Sequence, residues 1–306
     1  MLKTTAAALQ WYDSRRGEDP VRWRQTELRR GSIEPPRTNL FQIYWIRAGE
    51  GQFFADAGDH RYQRERLLFF TPYQYLRFLP ARAGHADVLQ FHANFLCVET
   101  FHAETGCSGV LFNDPYGSPQ IALDRASKTE WSHLLSRIRD ELAARRLAYQ
   151  EVLRSYVRAL LIVATRRKLD SRRRAVRGAA SSHPILEELR EAIEANYPRL
   201  HAPADYAALL HVTPKTLGRI VRQELNKTLT NLIRDRLLIH AKWQLLHTRQ
   251  PIKQISAELG FRDELYFSRL FKKGTGVSPA FFREFEWEIR GTSNLSIPSG
   301  NSPIQA

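Results

Sequence analysis

One pattern recurs in the second half of this 306-residue chain and limits its fold more than any other feature. A short helix with an apolar stripe is followed by a tight turn and then by a longer helix that is basic on one face. In PIKQISAELGFRDELYFSRLFKKGTGVSPAFFREF, from Pro251 to Phe285, Pro251 suits a first helical turn because it leaves no N–H unbonded and its φ is fixed. Ile252, Ile255 and Leu259 repeat at i, i+3 and i+7 as one stripe. Gly260 can take the left-handed conformation that ends a helix, and Asp263 can cap the amides of the next. In that next helix Phe267, Leu270 and Phe271 face one way, and Arg262, Leu265, Arg269 and Lys272 fall on the other side. Upstream, Asp205 to His211 forms a helix, Val212 sits in the turn, and Thr213-Pro214 supplies a cap and first helical residue. The helix PKTLGRIVRQEL then places Lys215, Arg219 and Arg222 opposite Leu217, Ile220, Val221 and Leu225. The two caps, Thr213 and Asp263, stand 50 residues apart with one long helix, about Leu229 to His247, between them.

A basic helix face presented after a tight turn fits the major groove of duplex DNA. The details around the second unit are specific: Gly260-Phe261, then YFSRLFKK, Gly276, Ser278-Pro279 and Arg283. On these residues the chain resembles the AraC/XylS family of bacterial transcription regulators, and Arg236 and Ala241 match that family's connecting helix. The resemblance implies two readers in successive major grooves, about 34 Å apart. By the family pattern, Lys215, Gly218 and Arg219 in the first unit, and Glu264, Leu265 and Arg269 in the second, occupy positions that reach base edges. Arg219 and Arg269 could bond a guanine edge, and Glu264 could accept from a cytosine amine. Lys215, Arg222, Lys227, Lys272 and Lys273 are the phosphate candidates, and Thr213, Thr216 and Arg262 complete the expected DNA-facing set. The chain departs from the family at Gly218, where a polar residue is usual, at Val221 for Phe, at Asn226 for Gly and at Leu265 for a small polar residue. The second unit is therefore expected to specify more sequence than the first.

Charge and composition are consistent with a DNA partner. The formal net charge is +14, and residues 165–182 hold seven Lys and Arg against one Asp. Such a block favours a polyanion, although a basic linker that is merely soluble and flexible has the same composition. The only cysteines, Cys97 and Cys107, make neither a zinc site nor a disulfide framework, which fits a reduced cytoplasm. No run of about 18 uninterrupted apolar residues occurs and the N-terminus lacks a secretory pattern, so a soluble cytoplasmic protein is expected, with no membrane partner.

In the first half, apolar and aromatic runs from Leu40 onward are broken by Gly49-Glu50-Gly51, Gly58-Asp59 and Thr71-Pro72, the texture of short strands. Further strands are expected from Ala86 to Cys97 and from Gln120 to Leu123, with an edge strand somewhere in residues 1–40. The family resemblance implies a cupin-like barrel here. Residues 124–168 switch to helical periodicity, with stripes at Trp131, Leu134, Leu135, Ile138 and Leu142 and at Val152, Leu153, Tyr156, Val157, Leu160, Leu161 and Ala164. The expected organisation is α+β: a cupin-like sensor barrel (1–123), a helical pair for homodimerisation (124–168), a linker (169–183), an all-α DNA-binding domain (184–290) and a disordered tail (291–306). Tyr44, Trp45, Phe53, Phe69, Tyr73 and Phe91 are the candidate lining of an effector pocket, with plain core filling as the alternative. Metal catalysis is disfavoured: His60 and Glu65 lie near the usual cupin motif, Tyr62 stands where its second histidine would be, and His85, His92 and His102 are scattered. No catalytic residue, metal or cofactor is expected. The function implied is a sequence-specific DNA-binding regulator, an activator by family habit acting with RNA polymerase and a small-molecule effector; alternatives are a constitutive regulator and, remotely, a cupin enzyme with an attached DNA-binding domain.

Overall fold

The computed structural model describes residues 11–56, 58–96, 110–112, 114–178 and 184–291. Cys97, His102, Cys107 and the expected tail beyond Gly291 lie outside the described residues.

Among the described residues, six strands form one antiparallel sheet in the order β1-β5-β2-β4-β6, with β3 paired to β2. They are β1 (Val21–Leu28), β2 (Phe41–Ala55), β3 (Gly58–Tyr62), β4 (Arg66–Phe70), β5 (Leu76–Phe91) and β6 (Gln120–Ala122). The two long central strands, β2 and β5, pair along most of their length, with register shifts between Ile46 and Gly51 that bend the sheet. Glycine is required at that bend: a Cβ on Gly84 would stand 1.9 Å from the Ala48 carbonyl oxygen. The strand expected from Ala86 to Cys97 ends at Phe91, and the short α1 (Ala93–Leu96) follows.

Because neighbours on a strand face opposite ways, the apolar run in β2 serves two cores. Tyr44, Ile46 and Phe53 fill the inside of the curl with Leu68, Phe70, Phe78 and Val88. Ile43 and Trp45 point outward and are covered by α2 (Arg125–Ala144) and α3 (Tyr149–Gly178), whose Trp131, Leu135, Ile138, Val157, Leu160 and Leu161 pack over them. The apolar stripes of the helical pair are thus used against the sheet. Helix α3 also corrects the expected linker at residues 169–183: the helix runs to Gly178. Up to Gly178 the segment holds Leu169, four Arg and Ala175, good helix formers, and no proline interrupts it, so the preceding packed turns propagate through it. Residues 179–183 lie outside the described residues.

Seven helices follow: α4 (Ile185–Asn196), α5 (Pro203–Leu209), α6 (Pro214–Leu225), α7 (Leu229–His247), α8 (Ile252–Glu258), α9 (Glu264–Thr275) and α10 (Pro279–Gly291). One core unites them, with Leu232, Ile233, Leu237, Ala241 and Leu245 of α7 between Leu217, Ile220 and Val221 on one side and Ile255, Phe267 and Phe271 on the other. The class is therefore α+β, an N-terminal antiparallel sheet with a helical pair followed by an all-α region. The two parts touch. Tyr73, in the loop after β4, packs 4.8 Å from Phe282 and gives its hydroxyl hydrogen to the Glu286 carboxylate. Trp11 lies against Phe281 and Phe285 of α10.

Candidate nucleic-acid interface

Helices α5 and α6 form one helix–turn–helix and α8 and α9 another. Each second helix is started by a side-chain cap. Thr213 Oγ1 accepts from the Thr216 amide at 3.2 Å, and Asp263 Oδ1 accepts from the Leu265 amide at 2.8 Å. Each also ends in a left-handed residue, Asn226 (φ 54°) after α6 and Gly276 (φ 87°) after α9. The turns differ by one residue: His211 (φ 53°) reverses the first and Gly260 (φ 79°) the second. At Gly260 the backbone also comes so close to α4's end that a Cβ would lie 2.1 Å from the Pro198 carbonyl oxygen.

The burial pattern follows from these starts. In α6, Leu217, Ile220 and Val221 are buried, which leaves Lys215, Arg219 and Arg222 exposed. In α9, Phe267 and Phe271 are buried, and Glu264, Leu265, Arg269, Lys272 and Lys273 are exposed; Arg262, placed on this helix from its spacing, precedes it in the exposed turn. Thr216 is spent on the cap, its hydroxyl 2.9 Å from that of Thr213. Arg219 donates to Gln223 at 3.3 Å, and Arg269 lies 3.8 Å from Asp263, weak local contacts that a partner could replace. Gly218 leaves open space where a side chain would be. Tyr266, 54% exposed beside Leu265 at 71%, belongs to the same surface and was not among the residues read from sequence. Its signal was available, an aromatic next to the basic stripe on the side away from Phe267.

Lys227 departs from its expected role. Asn226 turns the chain inward, and the Lys227 side chain is only 12% exposed, with Nζ 2.8 Å from Asp235 Oδ2 and 3.5 Å from the Pro115 carbonyl. It ties α7 to the first half and does not face the reading surface. Between the two units, α7 has 19 residues, about 28 Å of helix at 1.5 Å per residue, which makes it a rigid spacer.

The six aromatics chosen as a pocket do not share one. Tyr44 and Phe53 sit inside the curled sheet, Trp45, Phe69 and Phe91 lie on its outer face under the helices, and Tyr73 joins the core of the helical region. Strand alternation separates the five on strands, which are buried as packing, whereas Tyr73, in the loop after β4, borders the space between the sheet and the helical region. The residues weighed for metal binding are dispersed too. His60 on β3 stacks on Phe53 at 5.1 Å, Glu65 pairs with Lys128 at 2.9 Å, His85 is exposed on β5, and His92 faces Glu286 at 3.2 Å. Among the described residues no three His, Cys, Asp or Glu gather as a metal site.

Two capped helices with exposed basic faces, held by a common core on either side of a rigid spacer, define a double helix–turn–helix module of the kind that reads duplex DNA. A family model described as a helix-turn-helix domain matches residues 206–284, which spans both units. The chain is 40% identical over 80 residues to the arabinose operon regulatory protein of Salmonella typhimurium, covering 26% of this chain and 28% of that protein. It is 30% identical over 103 residues to the HTH-type transcriptional activator RhaR of Escherichia coli, covering 34% of this chain and 36% of RhaR. The matches thus span about a third of those relatives or less, and both relatives are regulators by name. Among solved structures, the chain is similar to the C-terminal domain of AraT, a response regulator from Geobacillus stearothermophilus, at 30% identity and a TM-score of 0.33, covering 39% of this chain and 94% of that one. It is also similar to apo ToxT from Vibrio cholerae, at 12% identity and a TM-score of 0.38, covering 88% and 98%. Over the helical region the resemblance to AraC/XylS regulators is therefore supported, and residues 206–284 carry an AraC-type helix-turn-helix domain. Among the described residues no helix is long and apolar enough to cross a membrane.

Proposed function

We propose that this chain is a cytoplasmic, sequence-specific DNA-binding regulator that activates transcription with RNA polymerase as its partner and responds to a small molecule. The observation that carries the DNA-binding part is the pair of exposed faces, Lys215, Arg219 and Arg222 on α6 and Glu264, Arg269 and Lys272 on α9, joined through α7. Homodimerisation through the α2–α3 pair belongs to the same reading. What supports it is apolar surface left over on the pair: Leu134 and Leu142 are only partly buried, and Leu147, in the connecting loop, is 98% exposed.

Selection of duplexes from a random pool, followed by titrations at two salt concentrations, tests the reading. Two short motifs about one helical turn apart are expected. Arg269→Ala should lose about 1–3 kcal/mol on the selected duplex and relax choice at one base, while Lys272→Ala should weaken all sequences and lower the salt slope by about one. Equal losses on selected and random DNA for both variants would overturn the assignment of roles.

A further inference from the structure

Between the sheet and the helical region lies a cavity of about 690 Å³, within the range of roughly 300–1,000 Å³ usual for small-ligand sites. Its floor is one face of α7, carrying Arg236, Ile239, His240, Lys242, Trp243 and Leu246. Phe41, Pro72 and Tyr73 face them from the sheet side, and Phe282 and Glu286 from α10.

The charges in this cavity are unevenly satisfied. Each carboxylate has a partner: Glu286 accepts from Tyr73 and faces His92 at 3.2 Å, Glu194 accepts from Arg236 Nε at 2.9 Å and Tyr116 at 2.7 Å, and Asp114 lies 3.6 Å from Lys168. The cations retain capacity. Lys242 Nζ donates to the Pro72 carbonyl at 3.1 Å and, among the described residues, has no carboxylate within ion-pair distance. Burial, with a smaller push from Arg37, lowers its pKa, and the carboxylates of Asp56, Asp235 and Glu286, beyond ion-pair distance, partly offset that. Arg236 uses only Nε on Glu194 and lies over the Tyr197 ring at 4.0 Å. Trp243, 52% exposed, and Ile239 give the floor an apolar surface beside these donors.

We propose that this cavity is the effector site and that it takes a small organic anion with an apolar body. The anionic group sits against Lys242 and Arg236, and the body lies on Ile239 and Trp243. The word effector rests on the regulator reading above; the binding chemistry does not. Because α7 is also the spacer between the two reading units, a ligand here joins the sheet to the element that sets their spacing.

The test uses the full chain with anilinonaphthalene sulfonate as the fluorescent probe, naphthoate as an anionic competitor and naphthalenemethanol as its neutral counterpart. Expected are saturable binding of one probe per chain, displacement by naphthoate far better than by the alcohol, and loss of binding in Ile239→Trp, which fills the floor. Lys242→Met should weaken the probe and naphthoate about tenfold or more, with circular dichroism checking that each variant is folded. Saturating naphthoate should change affinity for the selected duplex about fivefold or more in the unaltered chain and not in Ile239→Trp. Absent binding, equal binding by Ile239→Trp, equal competition by the alcohol, or a duplex affinity indifferent to bound naphthoate would each overturn the proposal. A chain that selects its duplex but ignores the anions refutes the cavity assignment alone, whereas one that binds anions but selects no duplex refutes the regulator reading alone.

Discussion

Replacing Gly218 by alanine should stabilise the first reading helix, although the position lies on the face expected to meet DNA. Gly218 is the fifth residue of α6, its φ is not positive, and a Cβ built there meets nothing within 4 Å. Alanine therefore adds no strain, narrows the unfolded ensemble and removes the penalty of an interior glycine, a gain of about 0.5–1 kcal/mol. The urea midpoint of the full chain should rise with unchanged slope, and the slowest-exchanging α6 amides should gain protection of about twofold to fivefold. Duplex affinity, measured on the same preparations, should stay within about twofold. A fall in midpoint would refute the open-space argument. A gain in stability together with a tenfold loss of duplex affinity would refute the other half, by showing that glycine is there to let the DNA backbone approach.

Gly260→Ala should act in the opposite direction, costing about 3 kcal/mol or more, because it combines a left-handed residue with a Cβ 2.1 Å from the Pro198 carbonyl oxygen; an unchanged melting midpoint would contradict the close approach. Lys227→Met should destabilise the chain by about 1–3 kcal/mol by leaving Asp235 unpaired, yet leave the salt slope of DNA binding unaltered; a slope lower by about one would return Lys227 to the phosphate contacts. Burial, with the Lys227 charge as a lesser cause, pushes the buried His60 from its usual 6.5 down to about 4. Between those pH values the unfolded chain binds the extra proton, so this contribution to stability is full above pH 6.5 and falls on acidification, by about 3 kcal/mol at most. The stability–pH curve of His60→Gln, compared with that of the unaltered chain, should lack this slope, and parallel curves would show that His60 protonates normally.

The local signals of the helical region were legible in the sequence because they are short-range and chemically explicit. Thr213 and Asp263 cap as their side chains allow, Gly260 and Gly276 take the left-handed positions that glycine favours, and the connecting helix runs from Leu229 to His247. Its inward stripe, Leu237, Ala241 and Leu245, lies in the shared core. Other assignments needed the third dimension. Nothing local says that Lys227 meets Asp235, because Asn226 could as well have turned that side chain toward solvent. Composition alone made residues 169–178 a linker, but helix propagates through them from the packed turns before. The aromatic-rich strands look like a pocket wall, yet a period of two sends Tyr44 and Trp45 to different cores.

The α7 face at Arg236, Ile239, His240, Lys242 and Trp243 was equally present in the sequence, as a second stripe on a helix whose first stripe explained it sufficiently. Sequence by itself determined where the helices of the reading units start and stop and which of their faces carry charge, since these follow from neighbours a few residues away. Only the tertiary structure decided which of those faces are spent on one another and where the chain leaves a cavity, because burial and ion pairing depend on partners such as Glu286 and Tyr73 that lie more than two hundred residues apart.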